Sequence, residues 1–79
     1  MLDKYKVIIK NEDVNSFNHV IETLIRDLGM HEVTAFSHTV KIDKVGSSVV
    51  AECHKELAET YLVKLHKKGL KVSMVRRDK

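Results

Sequence analysis

The chain has 79 residues, of which 43% are hydrophobic and 32% charged, and its formal net charge at pH 7 is +3. This length predicts a single domain over residues 1–79 with a small core. There is no apolar run long enough to span a bilayer, no apolar segment typical of a signal peptide, and only one cysteine, so we expect a cytoplasmic protein without an internal disulfide.

The N-terminal half of the chain predicts a strand followed by two helices. Apolar and polar residues alternate over residues 4–10, which is typical of a half-buried strand. Apolar residues three and four apart then predict a helix from Phe17 to Leu28, capped by Ser16 or Asn15 and ended by Gly29. A shorter helix is predicted from His31 to Lys41, and its apolar face is marked by Val33, Phe36 and Val40, with Ala35 and Thr39 beside them.

The C-terminal half predicts a turn over residues 44–48, a strand from Val49 to Cys53, a helix from near His54 to Gly69 and a strand from Leu70 to Val75. The buried stripe of this third helix is predicted to be Leu57, Ala58, Tyr61, Leu62 and Leu65. The order is therefore β-α-α-β-α-β. Because each element has only one apolar face, we predict an α+β fold in which a three-stranded antiparallel sheet carries three helices packed on one face.

A polar segment, Asn11-Glu12-Asp13, separates the first strand from the first helix. Polar groups held against an apolar wall suit a ligand with one polar and one apolar end. Asn and Asp are also common turn residues that bond their own backbone. On the residues alone, the turn interpretation is the stronger one.

Other candidate chemistry is weak. The five histidines include no pair at the i, i+4 spacing of a zinc site, so we predict surface imidazoles and no metal. Cys53 has no base on its own face of the strand, which favours a buried structural thiol. There is no nucleophile motif and no glycine-rich phosphate loop, so we expect neither an enzyme nor a cofactor.

Basic residues gather near the C-terminus, from Lys64 to Lys79, opposed only by Asp78. The region lacks the interleaved aromatic residues of a stacking platform for nucleic acid. A solvated helix end explains the charge more simply, so we do not expect specific nucleic-acid binding.

Several segments resemble one family over nearly the whole chain. Tyr5-Lys6-Val7-Ile8 followed by Asn11-Glu12-Asp13 resembles the opening Y-K-V-x-x-x-N-D-D of the ClpS family, the adaptors of the bacterial and plastid Clp protease. Ile42-Asp43-x-x-Gly46 falls where that family has V-H-x-x-G, and residues 55–60 resemble its third-helix segment E-V-A-E-T.

The resemblance implies a non-enzymatic adaptor for N-degrons, which are proteins whose first residue is Leu, Phe, Tyr or Trp with a free α-amino group. The adaptor would deliver them to a Clp AAA+ unfoldase of the ClpA or ClpC type. The residues implied to hold the α-ammonium are Asn11, Glu12, Asp13 and Asp43, and those implied to form the side-chain pocket are Asn15, Phe17, Val20, Thr39 and Ile42.

This chain departs from the family at several of these positions. Asp43 replaces a histidine that contacts the α-amino group, Phe17 replaces a smaller methionine and is expected to narrow the pocket, and Thr39 is expected to make its wall more polar. The implied unfoldase-docking residues are Glu56, Glu59 and Tyr61, the last in place of a lysine. Only four residues precede Tyr5, where the family has a long extension that takes part in delivery. The alternative is therefore a module that docks the unfoldase or another partner without binding N-degrons.

Overall fold

The protein was analysed as a computed structural model that describes residues 4–11 and 16–77. Its elements are β1 (Lys4–Lys10), α1 (Phe17–Leu28), α2 (Glu32–Val45), β2 (Ser47–His54), α3 (Lys55–Lys67) and β3 (Lys71–Arg76). The strands form one antiparallel sheet in the order β2-β1-β3. The predicted α+β fold and its element order are confirmed.

The central strand β1 anchors the core. Val7 and Ile9 are fully buried, as the alternating pattern predicts. Val7 pairs with Ala51 of β2 on one side and with Met74 of β3 on the other. Strand β1 is thus paired along both of its edges, which holds its end between β2 and β3.

Helix α1 has the predicted bounds because both of its ends are capped. The Ser16 hydroxyl accepts a hydrogen bond from the His19 backbone N–H at 3.1 Å, and Gly29 adopts a left-handed conformation at the C-terminus. Val20 and Leu24 are buried in the hydrophobic core, where α1 packs against α2 and α3. This places the first turn of α1, with Phe17, beside the end of β1.

The predicted end of the second helix is wrong. Helix α2 continues to Val45, through residues predicted to form a turn, and stops at Gly46, whose φ of 106° is unfavourable for other residues. The Gly46 N–H donates to the Ile42 carbonyl at 3.0 Å, which closes the last turn. The extra turn carries Ile42 and Asp43 on the helix instead of in a loop.

The predicted apolar face of α2 is also wrong. Val33 and Phe36 are 71% and 54% exposed, whereas Ala35, Thr39 and Ile42 are buried. The small Ala35 permits close packing, and the Thr39 hydroxyl donates to the Ala35 carbonyl at 2.7 Å, so its polar group is satisfied inside the helix. The small size of Ala35 and the satisfied hydroxyl of Thr39 together allow this face to be buried.

Helix α2 is tied to β2 by a side-chain hydrogen bond. His38 Nδ1 and the buried Ser48 Oγ lie 2.7 Å apart. Burial, with a smaller contribution from the charge of Lys41, lowers the pKa of His38 from its usual value. Burial therefore favours the neutral form of the imidazole, which suits its position between the helix and the sheet.

The C-terminal half has small differences from the prediction. Strand β2 begins at Ser47 and ends at His54, because both of these residues pair with β1. In α3, Leu57 is 36% exposed instead of buried, while Ala58 and Leu65 are fully buried. Cys53 is only half-buried, although burial still raises the pKa of its thiol.

Candidate functional site

One pocket lies where the end of β1, the start of α1 and the last turns of α2 meet. Its volume is about 50 Å³, and its lining residues are Ile9, Lys10, Asn11, Ser16, Phe17, Val20, Thr39, Ile42, Asp43 and Leu70. The structure thus brings together six residues that the family resemblance assigns to one site, namely Asn11, Phe17, Val20, Thr39, Ile42 and Asp43. The other three, Glu12, Asp13 and Asn15, lie outside the described residues.

The polar rim of the pocket is assembled by a backbone hydrogen bond. The Asn11 N–H donates to the Gly46 carbonyl at 2.8 Å and joins the end of β1 to the end of α2. Asp43 lies one turn before Gly46 on the same helix. Both Asn11 and Asp43 are exposed, so an amide and a carboxylate oxygen are available to a cationic donor at the pocket mouth.

The floor of the pocket is apolar. Val20 and Ile42 are buried and present hydrocarbon side chains. Thr39 was expected to make this wall more polar, but its hydroxyl hydrogen is already donated to the Ala35 carbonyl. The pocket therefore combines an apolar floor with a polar rim.

Phe17 forms one wall and is not held by the core. Its side chain is 39% exposed, and its ring meets the ring of Phe36 edge-on, with centroids 5.7 Å apart and an interplanar angle of 69°. That Phe17 narrows the pocket stays a prediction, and Phe17 is one of the lining residues.

Some lining residues were missed by the sequence analysis. Ile9 was recognised as a strand residue but not as part of a site, although its position on the buried face next to Asn11 was a usable signal. Leu70 is predicted to begin the last strand. In the structure it lies just before β3 and is buried, with 3% of its surface exposed. Phe36 was predicted to face the core, which concealed its contact with Phe17.

A second surface lies on α3, away from the pocket. Glu56 and Glu59 are exposed and, with Thr60, Val63 and Lys64, line an open hollow on the outer face of this helix. Tyr61 does not belong to this surface, because it is half-buried and packs against the core. The pocket and the α3 hollow share no lining residue.

Two further findings concern the described residues alone. Over residues 4–11 and 16–77, no cluster of three or more His, Cys, Asp or Glu side chains is placed to hold a metal ion. Over the same ranges, each helix is too short or too polar to cross a membrane.

The chain forms a small α+β domain with a pocket lined by both apolar and polar side chains. Residues 2–73 match the family model described as ATP-dependent Clp protease adaptor protein ClpS. The chain belongs to the ClpS family.

Curated relatives agree with this assignment. The chain is 37% identical over 67 residues to the ClpS adapter of a Nostoc species, an alignment that covers 84% of this chain and 69% of that protein. It is 36% identical over 62 residues to the ClpS adapter of Nautilia profundicola, covering 78% of this chain and 64% of that protein. The alignments thus span about two thirds of the length of these relatives.

A solved structure shows the same fold. ClpS2 of Agrobacterium tumefaciens, bound to L-phenylalaninamide, superposes with a TM-score of 0.89 and 24% sequence identity. The match covers 98% of this chain and all of that one.

Proposed function

We propose that this chain is a Clp protease adaptor that binds proteins through a free N-terminal residue with a bulky hydrophobic side chain. The observation that supports this most strongly is the pocket that Asn11 and Asp43 line together with the apolar side chains of Val20 and Ile42. Family membership supports the same function. ClpS2 of A. tumefaciens is bound to L-phenylalaninamide, which has an apolar side chain and a free amino group.

The polar rim suits an α-ammonium group. The Asn11 amide oxygen accepts one hydrogen bond, and the Asp43 carboxylate accepts another and adds Coulombic attraction. Asp43 is exposed, so its ion pair with the α-ammonium is expected to contribute at most about 1 kcal/mol to binding while water still reaches the pair. Glu12 and Asp13 are proposed as further acceptors, and Asn15 as a rim residue, on the family resemblance alone.

The apolar floor suits a leucine side chain. Val20 and Ile42 of this floor present hydrocarbon that a leucine side chain can contact. Burying such a side chain contributes about 1.5–3 kcal/mol. We propose leucine as one of the bulky hydrophobic first residues that this pocket binds.

The test of this pocket compares two peptides that begin with leucine and differ only in acetylation of the α-amino group. Isothermal titration calorimetry should detect binding of the free peptide and none, or much weaker binding, of the acetylated one.

We further propose that the α3 hollow docks a Clp AAA+ unfoldase of the ClpA or ClpC type. Its exposed Glu56 and Glu59 provide charge, and Val63, which is 54% exposed, provides apolar surface. Because this hollow is separate from the pocket, docking without N-degron binding is the second candidate function.

Capture on immobilised Clp unfoldase tests the docking surface. The double variant Glu56→Lys/Glu59→Lys should lose capture and keep its affinity for the leucine peptide, since neither residue lines the pocket. The control Glu22→Lys reverses a charge on the exposed part of α1 and should be captured like the unmodified protein. Equal capture of all three proteins would remove α3 as the docking surface. Capture of a protein that binds no peptide would favour the second function.

A further inference from the structure

We propose that Phe36 is a positioning residue that limits the size of the first side chain admitted to the pocket, by holding Phe17 in place. This inference rests on the proposed function and goes beyond it, because Phe36 does not line the pocket. The edge-to-face contact between the Phe17 and Phe36 rings supports it.

Phe17 is the exposed apolar wall of the pocket. It is the first residue of α1, and its side chain is 39% exposed, whereas the floor residues Val20, Thr39 and Ile42 are each less than a tenth exposed. Phe17 lines the pocket, so the position of its ring limits how wide a side chain the pocket admits. A bulkier first side chain is expected to require that the Phe17 ring rotates outwards, towards another staggered rotamer.

The Phe36 ring opposes this rotation. Its edge-to-face contact with Phe17, at 5.7 Å and 69°, has the geometry that aromatic pairs prefer. Such a contact favours the observed Phe17 rotamer by roughly 2- to 12-fold, which corresponds to about 0.5–1.5 kcal/mol. A bulky side chain that displaces the Phe17 ring, such as that of tryptophan, therefore binds with a penalty of that size, whereas a smaller side chain that leaves the ring in place does not.

Phe36 is otherwise unexplained by the packing of the fold. It is 54% exposed on the outer face of α2, where a large aromatic side chain contributes little to the core. Its loss should therefore leave the fold intact and change the choice of ligand.

The test measures the affinities of two free peptides, one beginning with leucine and one with tryptophan, for four forms of the whole chain. In Phe36→Ala, the preference for leucine over tryptophan should fall by roughly 2- to 12-fold relative to the unmodified protein. Phe36→Tyr keeps the ring and should restore the preference. Val33→Ala removes another exposed apolar side chain of α2, outside the pocket, and should leave the preference unchanged.

The possible results distinguish failure of the proposed role of Phe36 from failure of the proposed function. If the unmodified protein binds leucine peptides and Phe36→Ala keeps the same preference, the role of Phe36 is wrong and the pocket stands. If Phe36→Ala and Val33→Ala lower the preference equally, the ring contact is not the cause and the inference is again wrong. If the unmodified protein binds neither peptide, the proposed function itself fails, and the role of Phe36 fails with it.

Discussion

Replacing Asn11 with alanine is expected to weaken binding of a leucine-initiated peptide by about 1–3 kcal/mol, or roughly 5- to 150-fold in Kd. The substitution removes the amide oxygen proposed to accept from the α-ammonium, and leaves a charged donor unpaired where the peptide excludes water. The fold should be retained, because the Asn11 contact with the Gly46 carbonyl uses the backbone N–H, which alanine also has. Calorimetry measures the affinity, and thermal unfolding measures the stability of the variant.

Asn18→Ala is the matched control for this substitution. Asn18 is exposed on α1 and does not line the pocket, so its loss should leave Kd unchanged. Asp43→Asn is expected to have a smaller effect, at most about 1 kcal/mol, because asparagine keeps an acceptor oxygen and only the charge is lost. This effect should diminish as salt is added, since the carboxylate is exposed. Equal affinities for Asn11→Ala and Asn18→Ala would contradict the assignment of Asn11.

Replacing Thr39 with phenylalanine is expected to abolish detectable binding of the same peptide. Thr39 is 2% exposed and lines the pocket, so the added ring is expected to occupy the pocket. Overpacking and the lost hydrogen bond to the Ala35 carbonyl should also destabilise the fold, by about 1–3 kcal/mol. Calorimetry and circular dichroism distinguish a blocked pocket from an unfolded protein.

Thr60→Phe is the matched control for Thr39→Phe, because it makes the same change outside the pocket. The Thr60 hydroxyl also donates to the carbonyl four residues before it, but this residue is exposed on α3. The variant should bind the peptide normally. Thr39→Val keeps the shape of the side chain and should also bind, since the hydroxyl hydrogen is not offered to the pocket. Normal binding by a folded Thr39→Phe variant would show that the ligand does not use this cavity.

The fold was predictable from residue patterns, because strand β1 and helix α1 carry clear local signals. The alternation of residues 4–10 and the caps at Ser16 and Gly29 predict both elements with their correct bounds. Helix α2 was less predictable, since its largest apolar residues, Val33 and Phe36, are exposed. Its buried face includes a threonine, which is tolerated only because of a hydrogen bond that no periodicity predicts.

The candidate site was predictable only in part. Local patterns placed Asn11 at the end of a strand, but nothing in them places Asp43 beside it. That juxtaposition depends on the backbone hydrogen bond between Asn11 and Gly46, which joins segments distant in sequence. Only the resemblance to the ClpS family indicates that Asn11 and Asp43 belong to the same site. The contact between Phe17 and Phe36 had no signal of either kind, because it joins two exposed side chains at the surface.

The most direct test of the central claim is the calorimetric titration of the unmodified protein with the two leucine peptides that differ only at the α-amino group. We expect the free peptide to bind, and acetylation to weaken binding at least about 10-fold, because it removes the charged donor proposed to contact Asn11 and Asp43. Equal affinities for the two peptides, or no heat of binding from either, would contradict the claim that this pocket reads a free N-terminal residue.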